Sequence, residues 1–478
     1  MRAFSIASSL SLIMACGSRS EGPAPAAEPP TVAEDLGVRP QPGADLDGPI
    51  PLPARDARRA GAGNSTPLDL GTDRIAEPVA VPKPPPGGAV TFSFADGRRG
   101  WVARTPEGLQ LPPVAYGDGK VYVSGGFDSV SFYAVNAETG AFEWATTNLE
   151  DNGPTAAVFD DGRVIFNTES CTLFALDAAT GKRLWFKYLG DPTLAQIAVA
   201  DGLVFSAHPS PDGPRLSAYK VTSGARVWSR RVSAELLAAP IVHGDSVYAS
   251  TLTGMTYRFD RARGKRVWAR RLRATTAPWI VGDELFVSRR HGTQEQQIVV
   301  AAASGEIVRE HHAVDGKHLR DVPLNLDSWP KVWQFEGSRP VVVGGVRYVA
   351  MGGELQASDA RTGEALWVRR VSDGQGKRAL GSVALAGPQV VVSSRDGKLF
   401  GLDIDTGYTL WAYDLAKEVL AEPIVARGWV YAATSDGYVV ALEVGDRTLD
   451  GWHMFGGNAH HNGPVALARD PKTASLRR

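Results

Sequence analysis

Tryptophan returns along this chain at a nearly fixed interval, and that interval limits the possible folds more than any other feature. Trp101, Trp144, Trp185, Trp228 and Trp268 are spaced by 43, 41, 43 and 40 residues. The next register position, 41 residues on, is Arg309, and Trp367, Trp411 and Trp452 follow at 58, 44 and 41. Most of these tryptophans close one phrase: apolar alternation, an acidic residue, Thr-Gly or Gly, a short gap, then Trp. Examples are LFALDAATGKRLW (173–185), ASDARTGEALW (357–367) and LFGLDIDTGYTLW (399–411). A period of about 40–45 residues with four short strands per unit is the signature of a β-propeller blade.

A second phrase marks the first two strands of each unit. It reads PPVAYGDGKVYVS (112–124), APIVHGDSVYAS (239–250), RPVVVGGVRYVA (339–350) and EPIVARGWVYAA (422–433), with variants at 154–166, 194–206, 278–287 and 382–393. Each places a Gly turn between two apolar runs, which is a hairpin signal. Eight hairpins imply an all-β, eight-bladed propeller of four-stranded antiparallel blades. In the Asp-x-x-Thr-Gly turn the carboxylate accepts backbone N–H bonds and Gly takes the positive φ. The following Trp is a flat apolar group able to dock between blades. Trp101, Trp144, Trp185, Trp228, Trp268, Trp367 and Trp411 are therefore expected to be structural. Trp452 keeps the spacing but not the turn phrase, whereas TFSFADGRRGWVART (91–105) keeps the phrase. Residues 100–105 are accordingly expected to supply the outer strand of blade 8, beside YVVALEV (438–444), closing the ring through its termini.

The propeller is expected over 89–465, with 466–478 a flexible tail. Residues 1–16, MRAFSIASSLSLIMAC, combine a minimal basic start, a short apolar run and a Cys. Ile13-Met14-Ala15-Cys16 resembles a bacterial lipobox, making Cys16 the expected lipidation site; an ordinary signal peptide is the alternative. Gly17 after the Cys favours the outer membrane by the enterobacterial sorting rule. Residues 17–88 are expected to be a disordered linker, since 21–88 hold 15 of the 32 prolines and little apolar periodicity. Some 70 flexible residues span roughly 45–50 Å.

Composition argues against several classes. The net charge is −1, so no global field draws nucleic acid or an anionic membrane. With two cysteines, Cys16 and Cys171, there is no Cys pair, metal cluster motif or haem attachment motif. No catalytic elbow, zinc helix or phosphate loop is present. The nine histidines include His311, His312, His318, His453, His460 and His461, but no acidic or Cys partner sits at a ligand spacing, which favours surface or packing roles. DIDTG (403–407) is the repeat turn rather than a calcium loop. Arginines just after the docking Trp (WSRRV, WARRLR, WVRRV) are read as charges that blunt outer-edge pairing, or as a basic rim.

The repeated A-L-D-A-x-T-G-x-x-L-W phrase resembles that of the quinoprotein-like (PQQ-like) eight-bladed propellers, over roughly residues 89–465. GWHMFGGNAHHNG (451–463) resembles a segment that often opens such propellers, here placed at the end. The resemblance implies one of two classes. Quinoprotein dehydrogenases hold PQQ and Ca²⁺ with a vicinal disulfide, which this chain lacks. Lipid-anchored, non-catalytic propellers, typified by the BamB subunit of the outer-membrane β-barrel assembly machinery, match the lipobox and the lack of redox residues. The resemblance therefore implies a monomeric periplasmic scaffold with no cofactor and no metal, lipid-anchored to the outer membrane, partnered by an envelope protein such as the barrel assembly machinery. The alternatives are a PQQ-dehydrogenase-like protein and a cell-wall or polysaccharide-binding module.

One interval breaks the period. From Trp268 to Trp367 is 99 residues, and the surplus falls in EHHAVDGKHLRDVPLNLDSWPKVWQFEGS (310–338). Either KVWQF (331–335) is a displaced outer strand with Trp333 as docking residue, or Arg309 holds that position. The loop ahead, with His311, His312, His318 and Trp329, is the candidate interaction loop, because binding residues concentrate on loops of rigid scaffolds.

Overall fold

The computed structural model describes residues 68–72, 77–190, 196–291, 294–312, 339–351, 353–370 and 380–464. Eight antiparallel sheets succeed one another along these residues, all strand and turn, as the repeat requires. Blades 1 to 7 run in chain order, each with strands A to D from the innermost outwards. Blade 1 spans 115–146, blade 2 158–188, blade 3 198–231, blade 4 241–271, blade 5 279–312, blade 6 341–370 and blade 7 380–414.

All eight sequence-read hairpins are strands A and B. The A–B turn shows why they form. Asp118-Gly119, Asp161-Gly162 and Asp201-Gly202 each take positive φ at both residues (48° and 74°, 42° and 71°, 45° and 72°). That twist matches the flanking strands, and Asp-Gly tolerates it at little steric cost. Strand D then returns through the Asp turn: Asp177 accepts from Thr180 N–H at 2.9 Å and Asp403 from Thr406 N–H at 2.8 Å.

Blade 8 closes the ring as expected. Its strands A to C are Ile424–Ala426, Trp429–Ala433 and Tyr438–Glu443, and its outer strand is Arg99–Arg104 from the other end of the propeller, with Trp101 opposite Ala441. Three further strands precede this one among the described residues. Ala89–Ser93 pairs antiparallel with Arg99–Arg104, Glu77–Pro78 runs parallel to Thr409–Asp414 of blade 7, and Leu68–Thr72 runs parallel to Ala365–Arg370 of blade 6. Residues 68–93 thus form a strap that adds a fifth strand to three successive outer edges, and two of its strands, Leu68–Thr72 and Glu77–Pro78, fall in the stretch read as linker. Its short, proline-broken strands carry no period for a sequence reading to detect.

Candidate functional site

The seams between blades are built from the docking tryptophans. In seven blades the Trp on strand D stands opposite a small residue or Arg258 on strand C: Ala134, Ala175, Ala218, Ala357, Ala441 and Gly401 leave room for the ring. Five of these rings then reach the next blade. The indole N–H of Trp101 donates to the Ala137 carbonyl at 2.9 Å, Trp144 to Ala178 at 3.0 Å, Trp185 to Val221 at 2.7 Å, Trp228 to Arg261 at 2.8 Å and Trp268 to Ala302 at 2.8 Å. The turn Gly of the next blade lies under the ring: a Cβ at Gly264 would sit 2.5 Å from Trp228, and φ there is +64°. Only glycine satisfies both demands. Trp367 is buried, and Trp411 donates to Gln389 Oε1 at 2.8 Å. Of the arginines after these tryptophans, Arg230 spans the seam, donating to the Gly264 and Arg263 carbonyls at 2.8 Å each.

The seam between blades 5 and 6 differs. Strand D of blade 5 is Ile307–His312, and Arg309 stands opposite Val299 in the register that Trp holds elsewhere. The displaced-strand reading of KVWQF is therefore corrected: the blade is complete before the insertion, which joins blades 5 and 6 instead of lengthening a C–D turn. Arg309 pairs with Glu284 at 2.6 Å, and His311 occupies the space against Gly363, the turn glycine of blade 6. His311 is thus 8% exposed on a strand, not part of an open loop. Burial lowers its pKa, and Arg347 and Arg309 lower it further. Arg347, 1% exposed, completes a polar seam where other blades use indole. His312 ends the strand; His318, Trp329 and Trp333 lie outside the described residues, as does Cys16.

The inner strands present a second site. Strand A of each blade is the innermost edge, and its outward N–H groups need acceptors. GWHMFGGNAHHNG supplies them for much of the ring. Trp452 exchanges both backbone bonds with Val425 of blade 8 (3.1 and 2.7 Å). Tyr116 N–H of blade 1 donates to His453 O at 2.6 Å, Val199 of blade 3 to Ala459 O at 2.9 Å, and Val242 of blade 4 to His460 O at 3.1 Å. Asn462 pairs both ways with Ile280 of blade 5, at 2.8 Å each, and Arg339 ahead of blade 6 donates to His461 O at 2.6 Å. The segment is a tie that joins the inner strands of these blades. Trp452 is therefore not a docking Trp: it is buried, stacks on Trp279 at 5.9 Å and 6°, and donates to Glu422. Its spacing within the Trp series carried no sign of this role.

His461 is the centre of the tie. It is fully buried, with Nδ1 2.6 Å from Phe455 O and Nε2 2.5 Å from Ile197 O. Burial pulls its pKa down to about 4 against the pull of the two carbonyls, each of which favours the cation. The neutral ring donates to one carbonyl only. Cys171 is unbridged and buried, and burial pushes its pKa up to about 12, so it stays a packing thiol. Among the described residues no three His, Cys, Asp or Glu side chains gather as a metal-holding set.

The outer membrane protein assembly factor BamB of Yersinia pestis is 25% identical over 291 residues, covering 55% of this chain and 67% of that protein. The tetrathionate hydrolase of Acidithiobacillus ferrooxidans is 23% identical over 401 residues, covering 75% and 77%. The solved structure of BamB from Moraxella catarrhalis, at 20% identity, has a TM-score of 0.55 and covers 74% of this chain and 98% of its own, a likeness of fold. Residues 87–311 and 352–475 match the family described as outer membrane protein assembly factor BamB, and the unmatched interval between them, 312–351, contains all but the first two residues of the insertion. Over well more than half its length, this chain belongs to that family.

Proposed function

We propose that the protein is a non-catalytic propeller scaffold of the Gram-negative envelope that serves in the assembly of outer-membrane β-barrel proteins. The observation that carries this reading is the family match across both sides of the insertion. Three features support a scaffold over an enzyme. The tryptophans and turn glycines are consumed by the seams, the conspicuous C-terminal histidine segment ties the inner strands, and the sequence holds no Cys pair of the kind a quinone site uses. The quinone and its metal therefore do not fit the residues present, and no step is routed through them.

Cys16 is the proposed lipid attachment site, holding the ring to the periplasmic face of the outer membrane. The insertion that the family pattern skips, with His318 and Trp329, is the proposed partner-binding loop. Loss of the protein should reduce the amount of folded barrel protein in the outer membrane, read from heat-sensitive gel mobility. Unchanged barrel levels, or turnover of an alcohol by purified protein given PQQ and Ca²⁺, would overturn the reading.

A further inference from the structure

We propose that the outer edge of blade 2, strand Arg183–Tyr188, is a docking strand for an extended segment of a partner protein that alternates apolar and acidic residues. Outer strands are open hydrogen-bonding edges, and the blades of this ring do not treat them alike. Blades 6, 7 and 8 are covered by the strap. Blades 3 and 4 end in exposed arginine pairs, Arg230-Arg231 and Arg270-Arg271, which leave no apolar stripe there. Blade 2 has neither the strap nor an arginine pair. Among the described residues no strand pairs with its outer edge. In the register of those strands Lys187 keeps the place of the first arginine, Tyr188 takes that of the second, and Phe186 stands where they have Ser229 and Ala269. Leu184, Phe186 and Tyr188 fall on one face at 48%, 51% and 62% exposure, an apolar stripe unmatched on the other uncovered outer strands described. Phe186 is held by stacking on Phe174 at 5.9 Å, and the Arg183 guanidinium lies over its ring at 4.6 Å, so the stripe is ordered.

The chemistry of the occupant is written elsewhere in the same molecule. Leu68–Thr72, sequence Leu-Asp-Leu-Gly-Thr, lies parallel on Ala365–Arg370, with Leu68 beside Trp367 and Asp69 beside Val368. Arg183–Tyr188 has the same Leu-Trp frame as that covered strand, Leu184-Trp185 for Leu366-Trp367, followed by Lys187 for Arg369. Lys182, Arg183 and Lys187 leave the edge basic, with Glu150 beside Arg183 at 3.5 Å. A second copy of this edge would bring like charges together, so the charge selects an acid-bearing partner. Main-chain bonds would give the affinity and the apolar stripe the register.

The test uses the folded propeller and a fluorescent peptide, Thr-Leu-Asp-Leu-Asp-Leu-Thr, read by anisotropy. Phe186→Lys should weaken binding by about tenfold or more, and so should Leu184→Lys, a second exposed change that keeps the question open if one variant folds poorly. Methylating alternate peptide nitrogens should abolish binding, since a strand-paired peptide needs its N–H groups. Equal affinity of wild type and both variants, or binding that survives N-methylation, would overturn the proposal. So would wild-type dimers that Phe186→Lys dissociates, because the occupant would then be a second copy.

Discussion

Trp228 both fills the seam between blades 3 and 4 and satisfies a backbone carbonyl across it. Trp228→Phe keeps most of the ring but orphans the Arg261 carbonyl, an expected loss of about 1–3 kcal/mol. Trp228→Ala empties the seam and should cost about 3–5 kcal/mol. Urea unfolding of both variants checks this order. His461 makes stability depend on pH. Its folded pKa near 4 lies below the ordinary value of 6.5, so the unfolded chain binds the extra proton between them. Stability is therefore in place above pH 6.5 and lost as pH falls towards 4. His208, His243 and His311, also lowered by burial, act in the same direction. His461→Gln should flatten the fall in melting temperature over this window; an unchanged pH profile would remove His461 as its main source. At this scale the docking tryptophans and turn residues were legible because one residue type recurs at one spacing. His311 was not, because a His that replaces an indole by packing two positions on leaves no periodic trace.

Among elements, the C-terminal tie and the N-terminal strap are what the sequence concealed. Both work through backbone hydrogen bonds, for which side-chain pattern is a weak guide. GWHMFGGNAHHNG looked conspicuous as a sequence, yet its contacts reach blades 8, 1, 3, 4 and 5 and the start of blade 6, separations no local rule detects. A chain ending at Asp450 loses all of them, and its melting temperature should drop by several degrees, read by calorimetry. The insertion should behave in the opposite way. Because strands D of blade 5 and A of blade 6 are complete on either side, deleting 313–327 should change stability by only about 0.5 kcal/mol. Weakened partner capture with an intact fold is expected; unfolding would place the loop in the blade.

At the scale of the whole molecule, eight similar blades make a rigid ring whose stability comes from repeated seams, leaving edges and loops available for binding. The eight blades and the closure by residues 99–104 were legible from hairpin count and phrase alone. Partner identity was not, since no alternation or spacing encodes it. Cys16→Ser should move the protein from the membrane fraction to the soluble periplasm if the anchor is as proposed. The most direct measurement is affinity purification of the full-length protein from detergent-solubilised membranes, with the same done for the 313–327 deletion. Recovery of the central barrel subunit of the assembly machinery with the intact protein, and its loss with the deletion, is the predicted result. Consistent absence of that subunit from the intact protein would contradict a role in barrel assembly.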